Sequence, residues 1–283
     1  MTATALDACL CLLLISAAAV TATSAPAPDS VGESDRADAV AETLAAATAD
    51  VPYSLRPVPN QDVDAATNPE YERVAHGTLV SLLADAAVRT VRVDGESLTG
   101  TNEGLAAAVR EAVAERLPPR TRVVVRWEPY SGAHLGREFA VGPRPPADAD
   151  VNAATVRAPS GVDAPENASE VARENGFDGV ARVVAGSLVT GLLPPEKGRL
   201  ALGDDAPVDD LVGHRYRAVS RRYGVDTTAA IDRRDTHAAN RRVAAAMAER
   251  VAADLRSSTE MPSEAAVSLE LDTVEISVRT WSP

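Results

Sequence analysis

Val243, Met247, Val251 and Leu255 recur every four residues, and Ala244, Ala248 and Ala252 stand beside them. That spacing marks one face of a helix, and its small flanking side chains let a second helix approach closely. The same bias runs through the chain. Of 283 residues, 54 are alanine, and only 3% are aromatic. A core must then be assembled from many small side chains with few large anchors, which favours helix-rich packing. The length and 45% hydrophobic content suit one ordinary globular domain or two small ones.

The pattern predicts further elements along the chain. Ser34-Asp35 caps a helix to about Thr48, with Ala37, Val40, Ala41, Leu44 and Ala45 on one stripe. Val51 to Val58 reads as an extended edge segment. Asn68-Pro69-Glu70 supplies a helix start, and Tyr71, Val74, Ala75, Thr78, Leu79, Leu82, Leu83 and Ala86 follow as one amphipathic face. Thr90 to Val93 suits a short strand ending in the Asp94-Gly95 turn, and Asn102 to Leu117 another helix. In Arg122 to Glu128, Val123, Val125 and Trp127 alternate with polar neighbours, and Arg137 to Val141 offers a hairpin partner. Asn152 to Arg157 reads as a strand. Helices are expected over Pro165 to Asn175, Asp178 to Leu193, Pro207 to Tyr223 and about Thr228 to Ser257. The chain ends in a strand where Val274, Ile276 and Val278 alternate with Glu275, Ser277 and Arg279.

Residues 8–20 read ACLCLLLISAAAV, and the apolar stretch extends over 3–22. Its heart has the length of a signal-peptide core, while the extended stretch just spans a bilayer. No Lys or Arg precedes it, Asp7 stands in their place, and SAPAPDS carries prolines at the expected cleavage region, so an uncleaved anchor is the expected state and a cleaved signal the alternative. Residues 24–35 then form a polar spacer. Both cysteines, Cys9 and Cys11, fall inside the apolar segment, so the folded domain has no disulfide framework or thiolate metal site available to it. The expected organisation is a signal or anchor at 1–23, a spacer at 24–35 and an extracytoplasmic domain at 36–283, with a soft internal boundary in the proline- and acid-rich 142–150. The fold class is α+β: an N-terminal apolar helix, then a helix-rich domain with a small, mainly antiparallel sheet.

A net charge of −13 argues against nucleic acid and generally anionic membranes as partners. Lys197 is the sole lysine, so the positive charge is almost all guanidinium, a skew that accompanies adaptation to concentrated salt. The charge is also polarised. From Val212 to Ser257, ten arginines face five acids, leaving about −18 for the rest. Arg215, Arg217, Arg221, Arg222, Arg233, Arg234, Arg241 and Arg242 are therefore the candidate interface, able to grip carboxylates through two parallel hydrogen bonds. The competing reading is that the chain's own acids cover them.

Signatures of catalysis are sparse. His76, His134, His214 and His237 form no HExxH or close pair, and the sequence holds no GxSxG, SxxK, P-loop or GxGxxG. His76 fits a solvated polar face, and Asp204-Asp205 and Asp209-Asp210 fit a helix start better than a calcium site. No catalytic, cofactor or metal residue is assigned. Asn167-Ala168-Ser169 is a lone glycosylation sequon.

The segments LDACLCLLLISAAAV, ADAVAETLAAATADVPYSL, VAHGTLVSLLADAAV, LPPRTRVVVRWEPYSGAHL, VGPRPPADADVNAAT, GFDGVARVV and VRTWSP carry a likeness along the whole chain. In these the chain resembles an uncharacterised haloarchaeal family of exported or membrane-anchored proteins encoded in type IV pilus-like or secretion loci. It departs from pilins in having no basic residue-Gly processing site before the apolar stretch. The resemblance implies a setting and no assigned residues. Together these readings lead to an accessory protein anchored through residues 3–22, outside the cytoplasm, that works on a protein partner at the cell surface without catalysis. The alternative is a secreted hydrolase or ligand-binding protein built around residues such as His214, Asp235 and His237.

Overall fold

A computed structural model describes residues 33–55 and 69–282. The expected anchor, the spacer up to residue 32, Asp7, Cys9 and Cys11 lie outside the described residues. The chain is a mixed helix and sheet protein, 51% helical and 21% strand, with antiparallel sheets.

Helix α1 (Glu33–Ala46) begins within the expected spacer, and its stripe of Ala37, Val40, Ala41 and Leu44 is buried while Ala45 is exposed. Strand β1 (Thr48–Ser54) follows at once and pairs antiparallel with β2 (Glu72–Thr78), Thr48 opposite Thr78 and Ser54 opposite Glu72. This corrects the sequence expectation of a helix running from Pro69 to Ala86. The Pro69-Glu70 start signal makes only one turn of 3-10 helix, Pro69–Tyr71, and the next seven residues are strand. Two local causes are visible. The Thr78 side chain accepts the Ser81 amide at 3.1 Å and starts α2 (Leu79–Arg89) there. β1 meanwhile satisfies the backbone of 72–78, a partner that lies 18 to 30 residues away and leaves no trace in local periodicity. From Leu79 onward the amphipathic face is as expected, with Leu79, Leu82, Leu83 and Ala86 buried.

A hairpin of β3 (Arg92–Val93) and β4 (Glu96–Ser97) turns at Asp94 and Gly95, both at positive φ, as the Asp-Gly dipeptide predicts. Helix α3 (Glu103–Ala114) leads to β5 (Thr121–Trp127), β6 (Leu135–Val141) and β7 (Val151–Pro159). With the C-terminal β8 (Thr273–Trp281) these build one sheet in the order β4-β3-β6-β5-β8-β7, every pairing antiparallel. Segment 142–150 is a connection within that sheet. The alternation in β5 and β8 sorts the faces. Val123, Val125, Trp127, Val274, Ile276 and Val278 are buried on one side, while Arg126 sits opposite Glu138 and Glu275 on the other. A one-sided antiparallel sheet of this kind can leave its charged face to water. Helices α1 and α2 pack on the inner face.

Helix α4 (Ala168–Leu192) is interrupted at Gly176, whose φ of 60° and ψ of −150° are not helical, so the two helices expected on either side of residues 176–177 are present as two arms of one element. Pro194 and Pro195 end it and start α5 (Pro195–Ala201), and α6 (Val208–Arg222) follows. The expected single helix from Thr228 to Ser257 is broken into α7 (Thr228–Asp232) and α8 (Thr236–Ser258). Asp235 causes the break by capping α8, its carboxylate accepting the Ala238 amide at 2.9 Å. Short α9 (Pro262–Val267), which periodicity did not indicate, leads into β8. The four-residue stripe of α8 is buried against α4, where Val180, Val184 and Leu188 are fully buried. One hydrophobic cluster joins this helix pair to the sheet's inner face. Among the described residues the run Ala168–Ala201 is long and apolar enough to cross a membrane by length and composition, and Val180, Val184 and Leu188 within it are fully buried.

Candidate functional site

A cavity of about 630 Å³ opens between β1, β2 and α2 on one wall and the end of α4, α5 and α6 on the other. Its surface mixes polar and apolar groups, with Leu55, Val88, Leu98, Val189, Leu193 and Leu211 among the apolar lining residues. Its charged groups are Arg73, Arg89, Lys197 and Arg215 against a single acid, Asp85. Asp85 already pairs with Arg89 at 3.2 Å, one helical turn away.

Arg215 is the most constrained of these cations. Positions 208, 211, 212, 215 and 219 of α6 share one helical stripe, and the first three and the last are Val208, Leu211, Val212 and Val219, so the arginine is carried inward with them. Its Nε donates to Thr101 Oγ1 at 3.0 Å and one terminal nitrogen to Asn102 Oδ1 at 3.3 Å. Burial, then the neighbouring charges of Arg89 and Arg73, hold its acidity constant below the ordinary guanidinium value. It makes no carboxylate contact among the described residues. Tyr216, next on the helix, also lines the cavity. Its hydroxyl is buried without a hydrogen-bond partner among the described residues, and burial pushes the phenol above its ordinary value.

A second cluster lies where the β5–β6 hairpin meets α6 and α8. Asp254 Oδ2 accepts from the Tyr130 hydroxyl and the His134 backbone amide, both at 3.0 Å, and from His134 Nδ1 at 2.5 Å. With the proton on Nδ1, His134 Nε2 accepts from the Tyr223 hydroxyl at 3.0 Å. Arg250, four residues before Asp254, pairs with both oxygens of Asp94 at 2.7 Å. Burial first, then the Asp254 charge, raises the Tyr130 phenol far above its ordinary value. The chain Tyr223, His134, Asp254, Tyr130 ties three elements together through groups about 120 residues apart. Sequence spacing pointed to none of it.

The eight arginines assigned from sequence do not share one fate. Arg215 turns into the cavity. Arg222 pairs with Glu96, and Arg242 donates to the Asp226 carbonyl at 3.0 Å. Arg217, Arg221, Arg233, Arg234 and Arg241 are exposed and make no carboxylate contact among the described residues. Beside Arg221 and Arg222, a hollow of about 350 Å³ is lined also by Ser97, Thr99 and His214. Asn167 is exposed at the start of α4.

The residues imagined as a hydrolytic group are engaged separately. His214 Nε2 donates to the Thr99 carbonyl at 3.2 Å, His237 faces Glu196 at 2.9 Å, and Asp235 is the cap of α8. His76 sits on β2, exposed, against Asp50 at 2.6 Å. Asp209 and Asp210 occupy the first turn of α6, where acids meet the positive helix end. Among the described residues no three His, Cys, Asp or Glu side chains gather as a metal site.

A family model described as a family of unknown function, DUF7284, matches residues 6–281. No curated protein and no solved structure matches the chain.

Proposed function

Because the chain belongs to this family of unknown function along nearly its whole length, we propose its role from its own surface: it is an extracytoplasmic accessory protein that works by gripping an acidic protein partner, without catalysis. The observation that carries this reading is the set of exposed arginines, Arg217, Arg221, Arg233, Arg234 and Arg241, without a carboxylate contact among the described residues of a chain of net charge −13. A chain so rich in acid has carboxylates to spare for them, yet these five stay open to solvent. Each guanidinium presents a planar fork that suits a partner's carboxylate. The hollow beside Arg221 and Arg222 gives such a side chain a place to enter.

Attachment to the membrane through residues 3–22 belongs to the same proposal and rests on their apolar run. The finer placement, in a haloarchaeal type IV pilus-like or secretion assembly, rests on the sequence resemblance alone. The test combines intact mass, membrane fractionation and co-purification of the full chain from a high-salt host, for the natural protein and for R217E/R221E/R233E/R234E. The expected result is full-length mass in the membrane, with a partner that the charge-reversed variant loses. A trimmed, soluble and solitary product overturns the reading.

A further inference from the structure

We propose that the cavity between β2, α2 and α6 is a binding site for a small amphiphilic anion: a carboxylate or phosphate head carried on an apolar body. The inference is independent of the docking surface, which lies on other arginines. Four cations line the cavity, and the one acid among them is already paired with Arg89. Among the described residues the cavity therefore carries an excess of positive charge inside a strongly acidic protein.

Arg215 makes the point chemically. A guanidinium moved out of water is costly unless an anion or a full set of acceptors replaces its hydration. Here Thr101 and Asn102 take two of its five donors, and no carboxylate is supplied among the described residues. An incoming oxyanion completes the set, and Arg73 lines the same cavity. The buried Tyr216 hydroxyl, without a hydrogen-bond partner among the described residues, is a neutral donor in the same cavity lining. Lys197, the only lysine of the chain, adds a compact cation on the α5 wall.

The size and the lining favour an organic occupant over a bare inorganic ion. A cavity of about 630 Å³ is in the range that holds a small organic molecule. Its valines and leucines recover free energy only by covering an apolar body. The head is thus selected by Arg215 and Arg73, and the body by Val88, Leu98, Val189 and Leu211.

The experiment is calorimetric titration of the full chain with hexyl phosphate, hexanoate, hexanol and hexylammonium, and with inorganic phosphate alone. The anions are expected to bind at least tenfold more tightly than hexanol, and hexylammonium and inorganic phosphate more weakly still. A preference for hexyl phosphate over hexanoate, or the reverse, identifies the head group. Arg215→Gln is expected to lose tenfold or more for the anions while hexanol binding stays unchanged, which also shows that the cavity has kept its shape. Arg73→Gln and Lys197→Gln, on the cavity's flanks, give smaller losses of the same kind and serve if the Arg215 variant does not fold. Hexanol binding as tightly as the anions, no uptake of any probe, or anion affinity unchanged in all three variants overturns the proposal.

Discussion

Removing the Asp254 carboxylate should destabilise the fold, and should also reverse the sign of a second substitution nearby. In the native protein Asp254 Oδ2 serves three donors, the Tyr130 hydroxyl and two nitrogens of His134, and the His134 side chain is only 5% exposed. Asp254→Ala leaves all three donors without an acceptor, a loss of about 3–5 kcal/mol at roughly 1–3 kcal/mol for each buried group left unsatisfied. Tyr130→Phe in the native background forfeits a hydrogen bond to a charged group, about 1.5–3 kcal/mol. In the Asp254→Ala background the same change instead deletes an orphaned buried hydroxyl, and should restore about 1 kcal/mol. The double-mutant cycle should then show a coupling of about 2.5–4 kcal/mol, at or above the top of the range for residues in contact. Urea denaturation followed by circular dichroism at fixed salt measures all four proteins. Additivity within about 0.5 kcal/mol would refute the argument that these groups act as one network.

His214 makes stability depend on pH. Burial above all, with the charges of Arg217, Arg221 and Arg215, lowers its proton affinity, against which the Thr99 carbonyl pulls upward. The unfolded chain then takes up a proton first as pH falls. The contribution is fully present above the unfolded value of about 6.5 and is lost as pH drops through the lower folded value. His214→Gln, which keeps a donor for Thr99, should flatten the decline in denaturation midpoint between pH 8 and pH 5, and equal slopes would sink the assignment. Gly142 ends β6 at a φ of +88°, and a Cβ there would lie 2.3 Å from the Thr121 carbonyl oxygen. Gly142→Ala should therefore cost about 2 kcal/mol or more, read as a lowered melting temperature.

What the sequence revealed depended on whether the information was local. Alternation exposed the inner face of β5 and β8, because each residue's burial there follows its own position in the pleat. The Asn175-Gly176 interruption and the Pro194-Pro195 stop were equally local. The strand over 72–78 was not, since its cause is the backbone of β1, and the intervening chain is long. The break at 233–235 carried only a faint mark. No Gly or Pro interrupts 229–257, and the signal was an aspartate at a capping position. Arg215 was legible in principle, because it falls on the stripe of Val208, Leu211, Val212 and Val219; counting it with the surface arginines hid that. Arg73, Arg89 and Lys197 come from three other elements, and only the fold brings them to one cavity.

The two sites now separate by their response to salt. The exposed arginines lie in water, where a Debye length of about 3 Å at 1 M salt leaves little attraction beyond direct contact. Docking through Arg217, Arg221, Arg233, Arg234 and Arg241 must weaken steadily as salt rises. The cavity obeys a different balance. At low salt an approaching anion is repelled by the net charge of −13, and only inside does it meet the excess of cations. Salt removes the long-range repulsion first. It reaches the contact with the half-buried Arg215 less, because apolar walls keep counter-ions out. It also strengthens burial of the ligand's apolar body when the anion of the salt is of the excluded kind, such as sulfate. Uptake of a hexyl anion measured in rising sodium sulfate should accordingly hold or improve over the range in which partner docking fades. A parallel decline of both would mean that the cavity cations are as open to solvent as the surface ones, and that burial of Arg215 does not shape its affinity.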